Sequence, residues 1–177
     1  MCADRTGLII IYTGDGKGKT TAALGTALRA LGHGRRVLVV QFIKGTWKSG
    51  EQQSAKNFSP KMEIRTAGAG FVYSEDTLPE EHRLAAENGL EMVREALLSN
   101  SWDMIILDEI FATVTSGLLS EEQVIEALEY RNRDIDVVMT GRNAPSRILE
   151  VADTISDFSE TKHPFSNGIE ARRGIEY

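Results

Sequence analysis

Cysteine is almost absent from this chain of 177 residues, in which Cys2 is the one cysteine. This composition excludes a disulfide framework and every zinc site built from several cysteines. The three histidines have no spacing that indicates a metal site; they are His33, His82 and His163. Long apolar runs are also missing, since none approaches the ~18 residues that a membrane span needs, and no signal-peptide pattern begins the chain. We therefore expect a cytoplasmic protein without a membrane partner.

Positive charge is in deficit, because 20 basic residues face 26 acidic ones and the net charge is −6. This balance argues against a general nucleic-acid-binding protein. The distribution is uneven, since residues 14–48 carry seven basic side chains and one acid, whereas residues 75–134 carry fifteen acids and four bases. A basic stretch in an acidic protein indicates a local anion site, although such runs are more often solvated faces.

Short apolar runs alternate with amphipathic segments, and no repeat or linker divides the chain. The apolar runs predict strands at Leu8–Tyr12, Val37–Ile43, Met62–Thr66, Met104–Leu107, Ile135–Met139 and Thr154–Phe158. The other segments predict helices at Thr20–Leu31, from Thr77 with a buried stripe that reaches Leu97, from Ser120 to about Tyr130, and at Ser146–Ala152. We predict a single α/β domain over residues 1–177, with a mostly parallel sheet covered by helices on both faces. The loops after Tyr12, Ile43, Leu107 and Met139 then share the carboxyl edge of the sheet, where ligands bind.

A glycine-rich loop between the first strand and the first helix is the strongest functional signal. Its backbone amides, the helix N-terminus and the Lys19 ammonium are suited to bind phosphates, and the Thr20 hydroxyl is suited to contact Mg²⁺. The common phosphate-binding loop (P-loop) has glycine five residues before Gly18, where this chain has Thr13. A plain chain-reversing turn is the alternative. The candidate nucleotide-binding residues of this loop are Gly14, Asp15, Gly16, Lys17, Gly18, Lys19, Thr20 and Thr21.

Charged residues follow two further strands. Asp108 and Glu109 end the fourth strand, at the position where a P-loop protein holds its second Mg²⁺ contact. The alternative is an acidic pair that caps the next segment. Arg142 follows the fifth strand and is suited to bind a phosphate, but a surface arginine after a turn explains it equally well.

Two aromatic residues, Phe71 and Tyr73, lie in a segment with several glycines. Such residues can enclose a large flat ligand, although they more often form a satellite of the core. The sequence has no Gly-x-Ser-x-Gly motif, His/Cys pair or kinase catalytic loop. We therefore expect the protein to position a nucleotide and neutralise its phosphates while another molecule supplies the nucleophile.

Several blocks together closely resemble the P-loop type of ATP:corrinoid adenosyltransferases, also called cob(I)alamin adenosyltransferases. They are Thr13–Ala23, Gly32–Gly34, Val40–Trp47, Leu107–Glu109, Thr140–Arg142, Lys162–His163 and Gly174–Tyr177. They occur in the family's order and cover nearly the whole chain. The resemblance implies a RecA-like fold, a homodimer, an electron-donating reductase of the flavin type and two substrates, ATP and a corrinoid.

The resemblance also implies roles for individual residues. The 5′-deoxyadenosyl group of ATP passes to Co(I) of the corrinoid and triphosphate is released, with Lys19 as a catalytic residue. Thr20 and Glu109 match the family's Mg²⁺ contacts, Asp108 lies behind them, and Arg142 matches a nucleotide-site arginine. Phe71 and Tyr73 match two aromatic residues that crowd the lower face of the corrinoid and displace its axial base, although the second is usually tryptophan.

The residues by themselves, without the family resemblance, leave two other functions open. A thymidine-kinase-like nucleoside kinase also pairs a P-loop with an Asp-Glu strand end, but that family typically carries a four-cysteine zinc module. A non-catalytic regulatory module would bind ATP without binding a corrinoid.

Overall fold

The computed structural model describes residues 6–43, 49–67, 80–164 and 168–175. Its strands are β1 (Ile9–Thr13), β2 (Val37–Gln41), β3 (Met62–Thr66), β4 (Met104–Asp108), β5 (Asp136–Thr140) and β6 (Thr154–Asp157). They form one sheet in the order β3–β2–β4–β5–β1–β6, and every neighbouring pair is parallel. We call its two ends the amino edge and the carboxyl edge, after the strand termini that meet there. The α/β class and the parallel sheet expected from the sequence are confirmed.

Helices cover both faces of this sheet. They are α1 (Lys19–Gly32), α2 (Gly50–Ala55), α3 (Glu80–Leu98), α4 (Ile110–Thr115), α5 (Glu121–Glu129) and α6 (Ser146–Glu150). The four strands β1, β2, β4 and β5 are apolar along most of their length because alternate residues point to opposite faces and both faces are buried. One core contains the buried residues of α3, α4, α5 and α6 together with Ile11, Val40, Leu107 and Met139. The other contains the buried apolar residues of α1 with Val39, Ile106 and Val138.

Helix α3 follows the amphipathic pattern read from the sequence. Its stripe of Ala86, Leu90, Val93 and Leu97 is buried, as expected. Gly89 of the same helix packs against Ala67, the residue after β3, since a Cβ atom there would lie 2.4 Å from the Cβ of Ala67. The helix start expected at Thr77 lies outside the described residues. None of the helices in the described ranges combines the length and the apolarity that crossing a membrane requires.

Two short helices, α2 and α4, were not predicted. Both have six residues, fewer than two turns, so the period of their apolar residues is too short to recognise. Helix α4 is also rich in residues that favour strands, Ile110, Phe111, Thr113 and Val114, and it forms because they pack into the core. Helix α4 begins directly after β4 and so brings its N-terminus to the carboxyl edge.

Candidate functional site

The glycine-rich loop lies between β1 and α1 at the carboxyl edge. Gly14 and Gly18 have positive φ angles of 97° and 116°, which glycine adopts without a steric penalty. Gly16 lies against the chain that follows β6: its N–H donates to the Phe158 carbonyl at 2.6 Å, and a Cβ atom there would lie 2.7 Å from that oxygen. The loop is therefore held by β1 on one side and by residues after β6 on the other.

Lys19 is the buried cation of this loop, with 6% of its surface exposed. Its ammonium donates to the carbonyl oxygens of Gly14 at 2.6 Å and Gly16 at 2.8 Å. Burial lowers the pKa of Lys19, while the nearby carboxylate of Glu109 acts in the opposite direction. Lys19 is also the first residue of α1, whose first N–H groups have no partner within the helix and carry partial positive charge. The loop thus concentrates positive charge that an anion can neutralise.

Asp108 ends β4 and is 4% exposed. Its Oδ1 atom accepts hydrogen bonds from the hydroxyls of Thr20 at 2.7 Å and Thr140 at 2.8 Å. Its Oδ2 atom accepts from the amide of Gln41 at 3.2 Å. Three donors from α1, β5 and β2 thereby offset the cost of burying this carboxylate.

Glu109 follows Asp108 in a left-handed conformation with φ of 60°. Such a conformation costs about 1–3 kcal/mol for a residue other than glycine, so other contacts must hold it. One such contact is the hydrogen bond from the Glu109 N–H to the Thr140 hydroxyl at 2.9 Å. Burial raises the pKa of the Glu109 carboxyl, the Asp108 carboxylate raises it further, and the cations Lys19 and Arg142 oppose this shift.

Arg142 leaves the carboxyl end of β5 and is exposed to solvent. The residue before it, Gly141, has φ of 146° and lies so close to Phe111 that a Cβ atom would come within 2.8 Å of the Phe111 Cβ. Glycine is therefore required at this turn both by its conformation and by the adjacent side chain. The turn directs the chain over the carboxyl edge, where Arg142 lines the space above Lys19 and Glu109.

Two adjoining cavities open at the carboxyl edge. The smaller, of about 270 Å³, is lined by residues 16–21 of the loop, Glu109, Arg142, His163 and Ile175. The larger, of about 950 Å³, is lined by Thr20, Thr21, Leu24, Gln41, Ile43, Gly50, Glu51, Ser54, Asp108, Glu109, Ala112, Arg142, Gly174 and Ile175. Thr20, Thr21, Glu109, Arg142 and Ile175 belong to both. The larger volume is near the upper end of the range for small-molecule sites.

Most of the residues predicted from the sequence come together here. Of the loop residues Gly14 to Thr21, those from Gly16 onward line the smaller cavity, and Gly14 binds the Lys19 ammonium. Lys17 also donates to the carbonyl of Ile175 at 3.3 Å, and Asp15 lies exposed beside the loop. Phe71 and Tyr73 lie outside the described residues, so their placement stays a prediction.

The oxygen donors in this site suit a cation that takes few protein ligands. No group of three or more His, Cys, Asp or Glu residues in the described ranges is arranged to hold a metal ion. Thr20 and Glu109, which carry a hydroxyl and a carboxylate, both line the two cavities, next to the phosphate loop. Mg²⁺ usually takes one or two protein oxygens and completes its shell with phosphates and water, so this donor set fits it.

Two buried polar residues of the site, Gln41 and Thr140, lie in blocks that carry the family resemblance, but neither was given a role from the sequence. Both end a buried strand at the carboxyl edge, and both bind Asp108. The amide of Gln41 also contacts the Glu51 carboxylate at 3.4 Å, which connects Asp108 to α2. A polar residue at the end of an otherwise apolar strand was the available signal.

Comparisons with known proteins agree with one another. A sequence model described as ATP:corrinoid adenosyltransferase BtuR/CobO/CobP matches residues 5–177. The chain is 43% identical over 175 residues to the corrinoid adenosyltransferase of Escherichia coli (strain K12), covering 98% of this chain and 87% of that protein. It is 42% identical over 179 residues to corrinoid adenosyltransferase CobA of Salmonella typhimurium, with the same two coverages. The corrinoid adenosyltransferase of Pseudomonas aeruginosa is 34% identical over 98% of this chain and 85% of its own length.

Among solved structures, the flagellar accessory protein FlaH from Methanocaldococcus jannaschii has a similar fold, with a TM-score of 0.60 over 86% of this chain and 71% of that one. At 17% sequence identity this likeness concerns the fold alone. None of these comparisons supports a nucleoside kinase or a regulatory module.

Proposed function

The chain belongs to the ATP:corrinoid adenosyltransferase family, and we propose that it transfers the 5′-deoxyadenosyl group of ATP to Co(I) of a corrinoid and releases triphosphate. The observation that carries this proposal is the joining of a phosphate loop to a cavity of about 950 Å³ at one sheet edge. The smaller cavity suits a polyphosphate, and the larger one has room for a second, bulky substrate.

The proposed reaction needs no nucleophilic side chain. The electron pair of Co(I) forms a bond to C5′ of ATP, the bond from C5′ to the phosphate oxygen breaks, and its electron pair leaves with the triphosphate. The protein's task is therefore to orient C5′ toward the cobalt and to stabilise the charge that develops on the leaving group. The cluster of Lys19, the loop amides and Arg142 is suited to this task because its positive charges face the same cavity.

Individual residues have the following proposed roles. Residues Gly14 to Thr21 and Arg142 bind the triphosphate, and Lys19 stabilises it as it leaves. Thr20 and Glu109 hold Mg²⁺, which when bound neutralises part of the phosphate charge. Asp108 lies behind them and orients the Thr20 hydroxyl, with which it shares a hydrogen bond of 2.7 Å.

Phe71 and Tyr73 are proposed to contact the lower face of the corrinoid. Ala67, the last described residue before their segment, lies at the carboxyl end of β3, and its N–H donates to the Gln41 carbonyl at 2.9 Å. Ala67 thus lies at the same edge as the cavities. Displacing the axial base of cobalt would make Co(II) easier to reduce, so these residues would act on its reduction potential. We further propose that the chain forms one domain, works as a cytoplasmic homodimer and receives electrons from a reductase of the flavin type.

The direct test is anaerobic incubation with Mg-ATP and pre-reduced cob(I)alamin. We expect a light-sensitive product with a cobalt–carbon bond, seen in the visible spectrum, and one triphosphate per product. ATP binding without alkylation while Co(I) persists would contradict the proposal.

Phe71→Ala tests the role of the aromatic pair. We expect ATP affinity to stay unchanged while the reaction that starts from Co(II) slows more than the one that starts from Co(I). Equal losses from both starting states would show that Phe71 does not act through the axial ligand. Phe58→Ala is a suitable control, because Phe58 is exposed and lines neither cavity.

A further inference from the structure

Thr13 stands where the common phosphate loop has glycine, five residues before Gly18. Glycine is not required here by conformation, since Thr13 is the last residue of β1 and has no positive φ angle. Thr13 is 7% exposed, and its hydroxyl must therefore find a partner inside the protein. The identity of that partner indicates what threonine contributes at this position that glycine could not.

The Thr13 hydroxyl accepts a hydrogen bond of 3.2 Å from the backbone N–H of Ala144. Ala144 follows β5 by four residues and precedes Pro145, which caps α6. Its N–H belongs to neither the strand nor the helix, so a side chain supplies the acceptor. This bond joins the phosphate loop to the turn that follows β5, across 131 positions of sequence.

That turn, residues 141–144, contains two residues with positive φ angles and is held by two contacts. Gly141 and Asn143 have φ angles of 146° and 52°, and a left-handed asparagine persists where surrounding contacts determine it. The first contact is the Gly141 N–H, which donates to the Tyr12 carbonyl at 3.2 Å. The second is the bond from Ala144 to Thr13. Arg142 therefore lies between two points that are both attached to consecutive residues of β1.

We propose that Thr13 is a positioning residue for Arg142: its hydroxyl fixes the turn after β5 and so holds the guanidinium over the phosphate loop. This inference rests on the proposed role of Arg142 in binding the nucleotide. It also explains why threonine replaces the glycine of the common loop, because glycine at this position would leave the Ala144 N–H without an acceptor. The end of β1 leads into the phosphate loop and also holds the turn after β5. Arg142 and the phosphate loop therefore keep a fixed position relative to each other.

The test is a double-mutant cycle read by calorimetric binding of Mg-ATP. Thr13→Val removes the acceptor and keeps the shape, and Thr13→Ser keeps the hydroxyl as the matched control. Each is made in the native chain and in the Arg142→Ala background. We expect Thr13→Val to weaken binding about 3- to 10-fold, the effect of losing one neutral hydrogen bond, and Thr13→Ser to bind like the native chain. In the Arg142→Ala background Thr13→Val should have almost no further effect.

Each other outcome has a definite meaning. Equal weakening by Thr13→Val in both backgrounds would overturn the inference, since Thr13 would then act without Arg142. Native affinity of Thr13→Val beside a weakened Arg142→Ala would also overturn it. If Arg142→Ala itself binds Mg-ATP normally while Lys19→Ala does not, the role assigned to Arg142 fails and the phosphate loop stands. Thr13→Gly gives the same comparison if the valine variant does not fold, because it also lacks the acceptor, and native affinity would again refute the proposal.

Discussion

The two edges of the sheet differ in whether the surroundings of their charged side chains favour or oppose the charge. At the amino edge, Arg35 and Asp136 form an ion pair whose side chains are 15% and 9% exposed. Asp136 also accepts a hydrogen bond from the Leu8 N–H at 2.8 Å, and Arg35 donates to the Asp103 carbonyl. Arg35 and Asp136 are thus paired within the protein, and their contacts connect the starts of β1, β4 and β5.

At the carboxyl edge, burial opposes the charges of Lys19 and Glu109. Burial lowers the pKa of Lys19 and raises that of Glu109, so the charged form of each is disfavoured. At the amino edge, in contrast, the hydrogen bond from Arg36 lowers the pKa of Asp103 and favours its charged form. The amino edge is therefore completed by its own side chains, whereas the buried charges of Lys19 and Glu109 make the carboxyl edge suited to a charged ligand. Stability should depend on the first and activity on the second.

Asp136→Ala should give the largest change, at the amino edge. It leaves the Arg35 guanidinium buried without its carboxylate, and breaking such a pair costs about 3–5 kcal/mol. We expect this loss in the free energy of unfolding measured in urea, with kcat/KM nearly unchanged while the variant is folded. The control is Asp134→Ala, two residues earlier and exposed. A large loss of activity in folded Asp136→Ala would contradict the division between the edges.

Lys19→Ala should give the converse result at the carboxyl edge. It removes the cation next to the leaving triphosphate, and losing one preorganised group of this kind typically costs about 100- to 1,000-fold in rate. We expect weaker ATP binding, slower adenosylation and no loss of stability in the unliganded protein. Lys56→Ala, which removes an exposed lysine outside both cavities, is the control. Unchanged kinetics of Lys19→Ala would refute the phosphate-loop assignment.

Glu109→Gln should abolish activity and raise stability, and the gain in stability should depend on pH. Because the pKa of Glu109 is raised in the folded protein, its ionisation costs stability as pH rises from the usual glutamate value to the folded pKa. The variant should therefore melt at a higher temperature than the native chain near neutral pH without Mg²⁺, and the difference should vanish in acid. Its adenosyltransferase activity should be lost.

The control for this pH series is Glu129→Gln, which neutralises an exposed glutamate. It should leave both the melting temperature and its pH dependence unchanged. If Glu109→Gln instead melts at a lower temperature than the native chain at neutral pH, and this deficit disappears in acid, then Glu109 stabilises the empty site.

Arg36→Ala should give the smallest change, although it also lies at the amino edge. Its pair with Asp103 is open to solvent, with side chains 44% and 35% exposed, and such pairs contribute about 0–1 kcal/mol. Arg35→Ala, one residue earlier and with a side chain only 15% exposed, should destabilise far more. Similar losses in urea unfolding for the two variants would mean that burial is not what distinguishes the pairs.

Much of this arrangement could be predicted from the sequence. Continuous apolar strands between amphipathic helices indicate a parallel sheet, and parallel strands bring the residues after Tyr12, Leu107 and Met139 to one edge. The position of Asp108 and Arg142 beside the phosphate loop follows from that rule alone. The family resemblance added the reaction, which the charges by themselves did not specify.

The rest depends on contacts between distant parts of the chain. Asp108 is satisfied by Gln41 and Thr140, which lie 67 and 32 positions away, and no local pattern pairs them. Helix α4 contradicts its own local propensity, and it begins at a left-handed Glu109 that Thr140 holds. The ion pair of Arg35 and Asp136 spans 101 positions. The placement of Phe71 and Tyr73 stays a prediction.

The position of β1 has a consequence for the synthesis of the protein. β1 pairs with β5 and β6, so its partners are made about 130–145 residues later, on the order of ten seconds at ordinary translation rates. During that time an apolar strand has no native neighbour, and the bond from Gly16 to Phe158 that anchors the phosphate loop cannot form. The phosphate loop is thus synthesised early, but the nucleotide site is assembled only when residues after β5 and β6 are made, so ATP can stabilise the finished chain but cannot guide its early folding.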